Sequence, residues 1–273
     1  MFCLNTLPPL IRIMLVAALL ILLSTHSTSA HVTPPDMLAG ETLYYTIDFW
    51  LFHGSATGEL CFKKTPGGYT ALFEAETRGV LRLIAGHRKE IMESIMEYDE
   101  SRQRLRPLVF RETFIQNKME YKRTLAFNYE KSTFTCTRTY PGNKTRTIQG
   151  PLPDTTFEDM LTFFYNFRMG CYGRLREGGR LSVPVLMKEQ PSLINIDFTE
   201  AGSKKRADRF NAALTMDRTL THARSKRVLL RINEMSIPES ALVIDAYFFG
   251  ELGVRLTGMT YHESIFLERS VNQ

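Results

Sequence analysis

Thr156-Phe157-Glu158-Asp159-Met160-Leu161-Thr162-Phe163-Phe164-Tyr165-Asn166-Phe167-Arg168-Met169-Gly170 is the stretch whose reading decides the fold. Stepped at about 100° per residue from Phe157, the residues Phe167, Met160, Phe164, Phe157, Leu161 and Tyr165 gather on one arc. Glu158, Thr162, Asn166 and Asp159 gather on another. This pattern predicts an amphipathic helix that lies on a sheet or plugs the mouth of a curved one. Thr156 is placed to cap it, Asp159 falls at the third helical position, and Gly170 suits the left-handed stop.

On both sides of that helix the period is two. Leu43, Tyr45, Ile47, Phe49 and Leu51 alternate with Tyr44, Thr46, Asp48 and Trp50, so this strand has one buried face. A turn or bulge over Gly54–Gly58 leads to Glu59–Lys64, and Pro66-Gly67-Gly68 makes a hairpin into Tyr69–Thr77. Glu90–Tyr98 alternates imperfectly and fits strand or helix. Between Met119 and Tyr129, five of the six odd positions are apolar or aromatic. Phe134, Cys136 and Tyr140 alternate with threonines that suit a solvated face. Further strands are expected near 180–187, 193–199, 228–235 and 241–249. In the last segment Leu252, Val254 and Leu256 keep one phase and Met259, Tyr261, Ile265 and Leu267 the other. A bulge or turn at Gly258 would restore a common face. The expectation is a mainly β protein: one curved antiparallel sheet or open β-barrel, residues 41–273, with one amphipathic helix packed against it.

The first thirty residues read as a signal peptide. Arg12 precedes the apolar run Ile13–Leu23, and Thr28-Ser29-Ala30 is a small-residue cleavage site, so a cut after Ala30 is expected. The run is shorter than the roughly 20 residues of a membrane span. A Pro-containing leader, 31–40, reads as loose. A periplasmic or secreted location follows, peripheral to a membrane at most. Three cysteines remain, Cys61, Cys136 and Cys171, which permit one disulfide or serve as separate buried thiols. The mature chain carries 33 basic and 29 acidic residues. The window Ser203–Arg231 holds nine of the basic and two of the acidic ones. Such a window suits an anionic lipid, an acidic glycan or another envelope protein, or else it blunts edge strands. The export signal and the lack of interleaved aromatics argue against nucleic acid.

The run from Asp159 to Arg168 resembles the Asp-Pro-Leu-Ser-x-x-Tyr-x-x-Arg signature of a bacterial envelope family known as domain of unknown function 3108. Asp159, Leu161, Tyr165 and Arg168 match by type, and Thr162 stands where Ser is usual. Gly40-Glu41-Thr42-Leu43-Tyr44-Tyr45 is similar to the family's Gly-Glu-x-Leu-x-Tyr opening strand. Met160 replaces the usual Pro. The family's Trp-x-x-Asp-Asp stretch has no counterpart, although Phe248-Phe249-Gly250-Glu251 stands near its place. The resemblance implies a secreted, β-rich periplasmic protein, favours strand over helix for Glu90–Tyr98, and brings no reaction with it.

Arg168 is charged yet sits inside the apolar arc. It is either a clamp between helix and sheet or an anion-binding group at the mouth of a cleft. Tyr165, at the edge of that arc, is its companion as a candidate ligand-binding residue, with core packing as the other reading. No catalytic residue, metal site or cofactor is expected. There is no Gly-x-Ser-x-Gly elbow, and His53, His87, His222 and His262 show no metal spacing. The carboxylate pairs Glu74/Glu76 and Glu93/Glu97 share strand faces, as exposed strands commonly arrange. The expected role is non-catalytic binding of a lipid-like or glycan-linked envelope ligand. A structural partner of an envelope complex comes second and a hydrolase third.

Overall fold

The period-two segments become strands because their alternating apolar positions can share one dry face only when extended. The computed structural model describes residues 32–49, 52–79, 82–83, 86–152, 157–173, 178–186, 189, 191–200, 210–216, 227–233, 235–244 and 252–261. Strands β1 to β8 are Glu41–Phe49, Phe52–Thr65, Gly68–Thr77, Arg88–Asp99, Arg104–Gln116, Met119–Asn128, Thr133–Tyr140 and Lys144–Pro151. Helix α1, Met160–Met169, follows. Strands β9 to β14 are Arg180–Leu186, Pro191–Glu200, Phe210–Met216, Arg227–Ile232, Pro238–Ile244 and Leu252–Tyr261. Glu90–Tyr98 is strand, within β4.

All fourteen strands form one antiparallel sheet in the order β8-β7-β6-β5-β4-β3-β2-β1-β14-β13-β12-β11-β10-β9. The chain meanders outward from β1 to one edge, β8, passes through α1 to the far edge, β9, and meanders back until β14 pairs with β1. Side chains on opposite sides of α1 show how the sheet is shaped. Leu161, Tyr165 and Met169 pack with core residues of β1 to β7, whereas Phe163 and Phe167 pack with Val183, Val185, Ile194, Ile196 and Phe198. In a flat sheet β4 and β10 would stand about 38 Å apart, eight steps of roughly 4.8 Å. A helix about 10 Å across touches both halves, so the sheet is curled around it as an open, barrel-like wall.

Three local details fix the register. Gly68 starts β3 at φ 138°, and a Cβ there would lie 2.2 Å from the Met96 carbonyl oxygen, so the hairpin needs glycine. In β14 the pairing slips between Tyr44–Gly258 and Tyr45–Leu256, leaving Thr257 as the extra residue of a bulge. Val254, Leu256 and Met259 therefore all reach the core, as the phase switch at Gly258 requires. The edge strand β9 is covered by the segment before the helix. Glu158 N–H donates to the Pro184 carbonyl at 3.2 Å, and Leu186 N–H donates to the Glu158 carbonyl at 2.8 Å.

Several expectations change. The helix begins three residues after the expected first turn, with Asp159 itself as N-cap; Thr156 lies outside the described residues. Its polar arc does not face water: Glu158, Asp159, Thr162 and Asn166 are all 0% exposed. A helix embraced by one sheet has no wet side, so its polar residues must find partners inside. Of the turn or bulge expected over Gly54–Gly58, the bulge is found: the segment lies within β2, and with Ile47 paired to Ala56 and Phe49 to Phe52, His53, Gly54 and Ser55 stand against Asp48 alone. The leader is not loose where it is described, because Thr33 N–H donates to the Met169 carbonyl at 2.9 Å and Leu38 is buried. Asp36 accepts from Lys64 at 2.9 Å and from the Tyr69 hydroxyl at 2.7 Å. Strands β8 and β11 are additional. Residues 1–31, which contain the expected signal peptide, lie outside the described residues, as do 201–209 and 217–226, which hold most of the basic window. Cys61, Cys136 and Cys171 are free thiols.

Candidate functional site

Glu41 opens β1 in phase with Leu43 and Tyr45, which places a carboxylate on the concave, buried face. Arg168, in the last turn of α1, reaches it with both terminal nitrogens. Nη1 contacts Oε1, and Nη2 donates to Oε2 at 2.8 Å. The side chains are 1% and 0% exposed. Burial works against the guanidinium charge, and the bidentate carboxylate more than offsets it. The Tyr261 hydroxyl donates to Glu41 at 3.0 Å and ties β14 into the same contact. One turn back along α1, Tyr165 stacks on Phe62, with ring centroids 4.1 Å apart. Burial pushes its hydroxyl pKa well up. The hydroxyls of Tyr45 and Tyr165 are buried without a hydrogen-bond partner among the described residues. The two motifs that carry the family resemblance thus meet in space, joined through Glu41 and Arg168.

The other end of α1 holds a second polar cluster. Asp159 accepts from Leu161 N–H at 2.8 Å and Thr162 N–H at 3.0 Å, as an N-cap does. Its other oxygen accepts from the Ser94 and Thr162 hydroxyls, both at 2.7 Å. Glu158 is held by Arg104, by the Tyr172 hydroxyl and by Asn166 Nδ2, the last at 2.7 Å. Asn166 also pairs with the Leu105 backbone, accepting its N–H and donating to its carbonyl at 2.8 Å each. In this way it acts as a strand partner for β5 from the helix. Burial raises both carboxylate pKa values, against the donors that favour ionisation. Burial likewise pushes the nearby Cys171 thiol up to about 12.

These arrangements locate each candidate residue. Arg168 is the clamp between helix and sheet, and Tyr165 sits in the core beside it. The carboxylates raised for hydrolysis are engaged elsewhere. Glu74 pairs with Lys89 at 2.7 Å, Glu76 with His87 at 2.9 Å, Glu93 with Arg111 at 2.6 Å, and Glu97 with Arg106. Two surface hollows, of about 380 and 360 Å³, lie over β1, β12, β13 and β14 and over β1 to β4, and neither is lined by a residue of α1. Around α1 itself, Leu161, Tyr165 and Met169 on one side and Phe163 and Phe167 on the other are buried against core residues of the sheet.

Beyond the helix, the concave face continues over β5 to β8 and ends in aromatic residues. Phe114 stands directly opposite Tyr121, with ring centroids 6.3 Å apart. Tyr140 follows on β7, one position past the Lys122–Thr139 pair. Met119, Tyr121 and Tyr140 are 47%, 36% and 38% exposed.

No family model matches the chain, and no curated protein matches it. The resemblance to domain of unknown function 3108 therefore rests on its two motifs. Among solved structures the chain is similar to a β-barrel-like protein of domain of unknown function 1849 from Brucella abortus. That likeness has a TM-score of 0.48 and 9% identity over 83% of this chain and 99% of the other. A protein of the domain of unknown function 1089 family from Pseudomonas aeruginosa follows, with a TM-score of 0.35 and 11% identity over 71% and 90% of the two chains.

Proposed function

We propose that this is an exported, non-catalytic β protein of the cell envelope that binds a lipid-like ligand on the open end of its concave face. The observation that carries the proposal is the exposed edge formed by Met119, Tyr121 and Tyr140 beside the half-buried Phe114, on the same face of the sheet as the core that packs against α1. Aromatic side chains with an apolar body and a polar tip suit the boundary between an acyl chain and water. The buried charged groups around α1 are each held, Arg168 by Glu41, Glu158 by Arg104, and Asp159 by Ser94 and Thr162, which suits a scaffold better than a reaction centre. A second reading, a structural partner in an envelope assembly, draws on β8. This edge strand is largely exposed and, among the described residues, pairs with β7 alone, which leaves its outer side to an added strand. The test is organic extraction of the protein purified from its own cell envelope, followed by mass spectrometry. An amphiphile present near one per chain supports the reading. An empty extract, together with no binding to lipid vesicles, would leave the assembly role in its place.

A further inference from the structure

On strands β7 and β8 the concave face carries charge where the convex face does not, and Arg123 of β6 stands in line with that charge. Phe127, Leu125 and the row Phe134 and Cys136 point inward and are buried. Two residues further along the same phase come Arg123 on β6, Arg138 on β7 and Arg146 on β8. The strand register sets them directly opposite one another, Arg123 with Arg138 and Arg138 with Arg146. The convex face of β7 and β8 is instead neutral, with Thr137 beside Thr147 and Gln149 donating to Thr135. Like charges directly opposite on neighbouring strands are destabilising, so the row needs anions to hold it. Two are present. Arg123 pairs with Glu112 at 2.6 Å, and Arg138 Nε lies 3.0 Å from Glu189. Arg146 has no carboxylate among the described residues, nor has Lys144 next to it on that face. Arg123 Nε is buried with no hydrogen-bond partner among the described residues. Protection of the free edge would account for Lys144 and Arg146, but it does not account for Arg123 and Arg138 on the strands inside it.

We propose that the row Arg123–Arg138–Arg146, with Phe114, Tyr121 and Tyr140 along its outer side, holds the phosphate-class head of an anionic amphiphile. Planar guanidiniums bind such oxygens through two parallel hydrogen bonds, and the aromatic row supplies a surface for the adjoining chain. The occupant is a lipid headgroup rather than free phosphate, because the cationic row and the exposed apolar row are one pleat apart. This inference rests on the lipid-binding reading and names the residues and headgroup that carry it.

The experiment uses the mature chain and titrates lauroyl lysophosphatidic acid, monolaurin and inorganic phosphate by calorimetry. The expected order is tight binding of the first, weak binding of the second and none of the third. Arg146→Gln, at an exposed position, should weaken the first by about tenfold or more, the loss of a charge-assisted hydrogen bond, with an unchanged melting curve. Tyr140→Ser should weaken both amphiphiles. Equal binding of inorganic phosphate would replace the lipid by a free anion. Unchanged lysophosphatidic acid binding in Arg146→Gln would overturn the site while leaving the lipid-binding reading intact. No binding of either amphiphile would remove both. Tighter binding of poly-glutamate than of the lipid would assign the row to an acidic protein segment instead.

Discussion

Replacing Arg168 by Met leaves the Glu41 carboxylate at 0% exposure with the Tyr261 hydroxyl as its one remaining side-chain donor among the described residues. Losing one member of a buried ion pair costs about 3–5 kcal/mol, because the remaining charge has neither water nor counter-ion. In a protein of this size each kcal/mol moves the melting midpoint by roughly 2–4 °C, so a fall of about 6–20 °C is expected. Glu41→Met alone should cost a similar amount by stranding the guanidinium. The double variant Glu41→Met/Arg168→Met removes both charges from a dry site and should recover to within about 1–2 kcal/mol of the parent. Thermal and urea unfolding of the four proteins, followed by circular dichroism, gives the full cycle. An unchanged midpoint in Arg168→Met, or two single losses that simply add in the double variant, would refute the clamp. Arg168→Lys serves as a control, since a lysine cannot reproduce the two-pronged contact and should fall between parent and Met.

Tyr165→Phe removes a hydroxyl that has no partner among the described residues, so stability should hold or rise by up to about 1 kcal/mol. A clear loss in urea unfolding would show that the hydroxyl is bonded. Asp159→Ala removes the cap and leaves the Ser94 and Thr162 hydroxyls, 3.1 Å apart, with only each other among the described residues, at a cost of about 2–4 kcal/mol. Asp159→Asn keeps the cap and should cost far less. The two carboxylate states add a pH signature. Because burial raises the Asp159 pKa, the folded protein binds more protons than the unfolded chain above the ordinary aspartate value of about 3.9. That contribution is complete below about 3.9 and is lost as pH rises through the folded pKa, so the parent's advantage over Asp159→Asn should shrink as pH rises above about 3.9. A constant difference between the two across that range would contradict the assignment. Gly68→Ala drives a Cβ into the Met96 carbonyl oxygen in a left-handed conformation and should cost more than 1 kcal/mol in thermal unfolding, while the open turn position Gly67→Ala should not.

Strands such as β1, β6 and β7 were legible because their apolar residues alternate, and the bulge near Gly258 because that phase breaks at one point. The imperfect alternation of Glu90–Tyr98 left β4 between strand and helix, and β8 and β11 were not anticipated. The helix was legible in its apolar arc and its Gly170 stop. Its surroundings were not. A helical wheel reports which residues share a side, and four polar residues on one side read as a wet face. Only the curl of the sheet turns that side toward Ser94 and Leu105, where Asp159, Thr162 and Asn166 find their partners. Glu41 carried a signal that alternation could have found, since it stands in phase with buried Leu43 and Tyr45. The arginine row carried the same signal more openly. Arg123 is the one charged residue among the six odd positions from Met119 to Tyr129, and Arg138 interrupts the series Phe134, Cys136, Tyr140. Register across three strands, which no single segment contains, then shows that these cations stand together. Arg104 and Tyr172, which meet over Glu158, lie 68 residues apart and had no pattern to announce them.

Hydrogen exchange at the α1 amides bears most directly on a helix enclosed by one curled sheet. Amides of residues 163–170 should exchange only with global unfolding, at the same free energy as the central strands β1 and β2. Exchange of those helical amides within minutes, while β1 and β2 remain protected, would contradict the enclosure. It would also return the interior to the list of places where a ligand could lie.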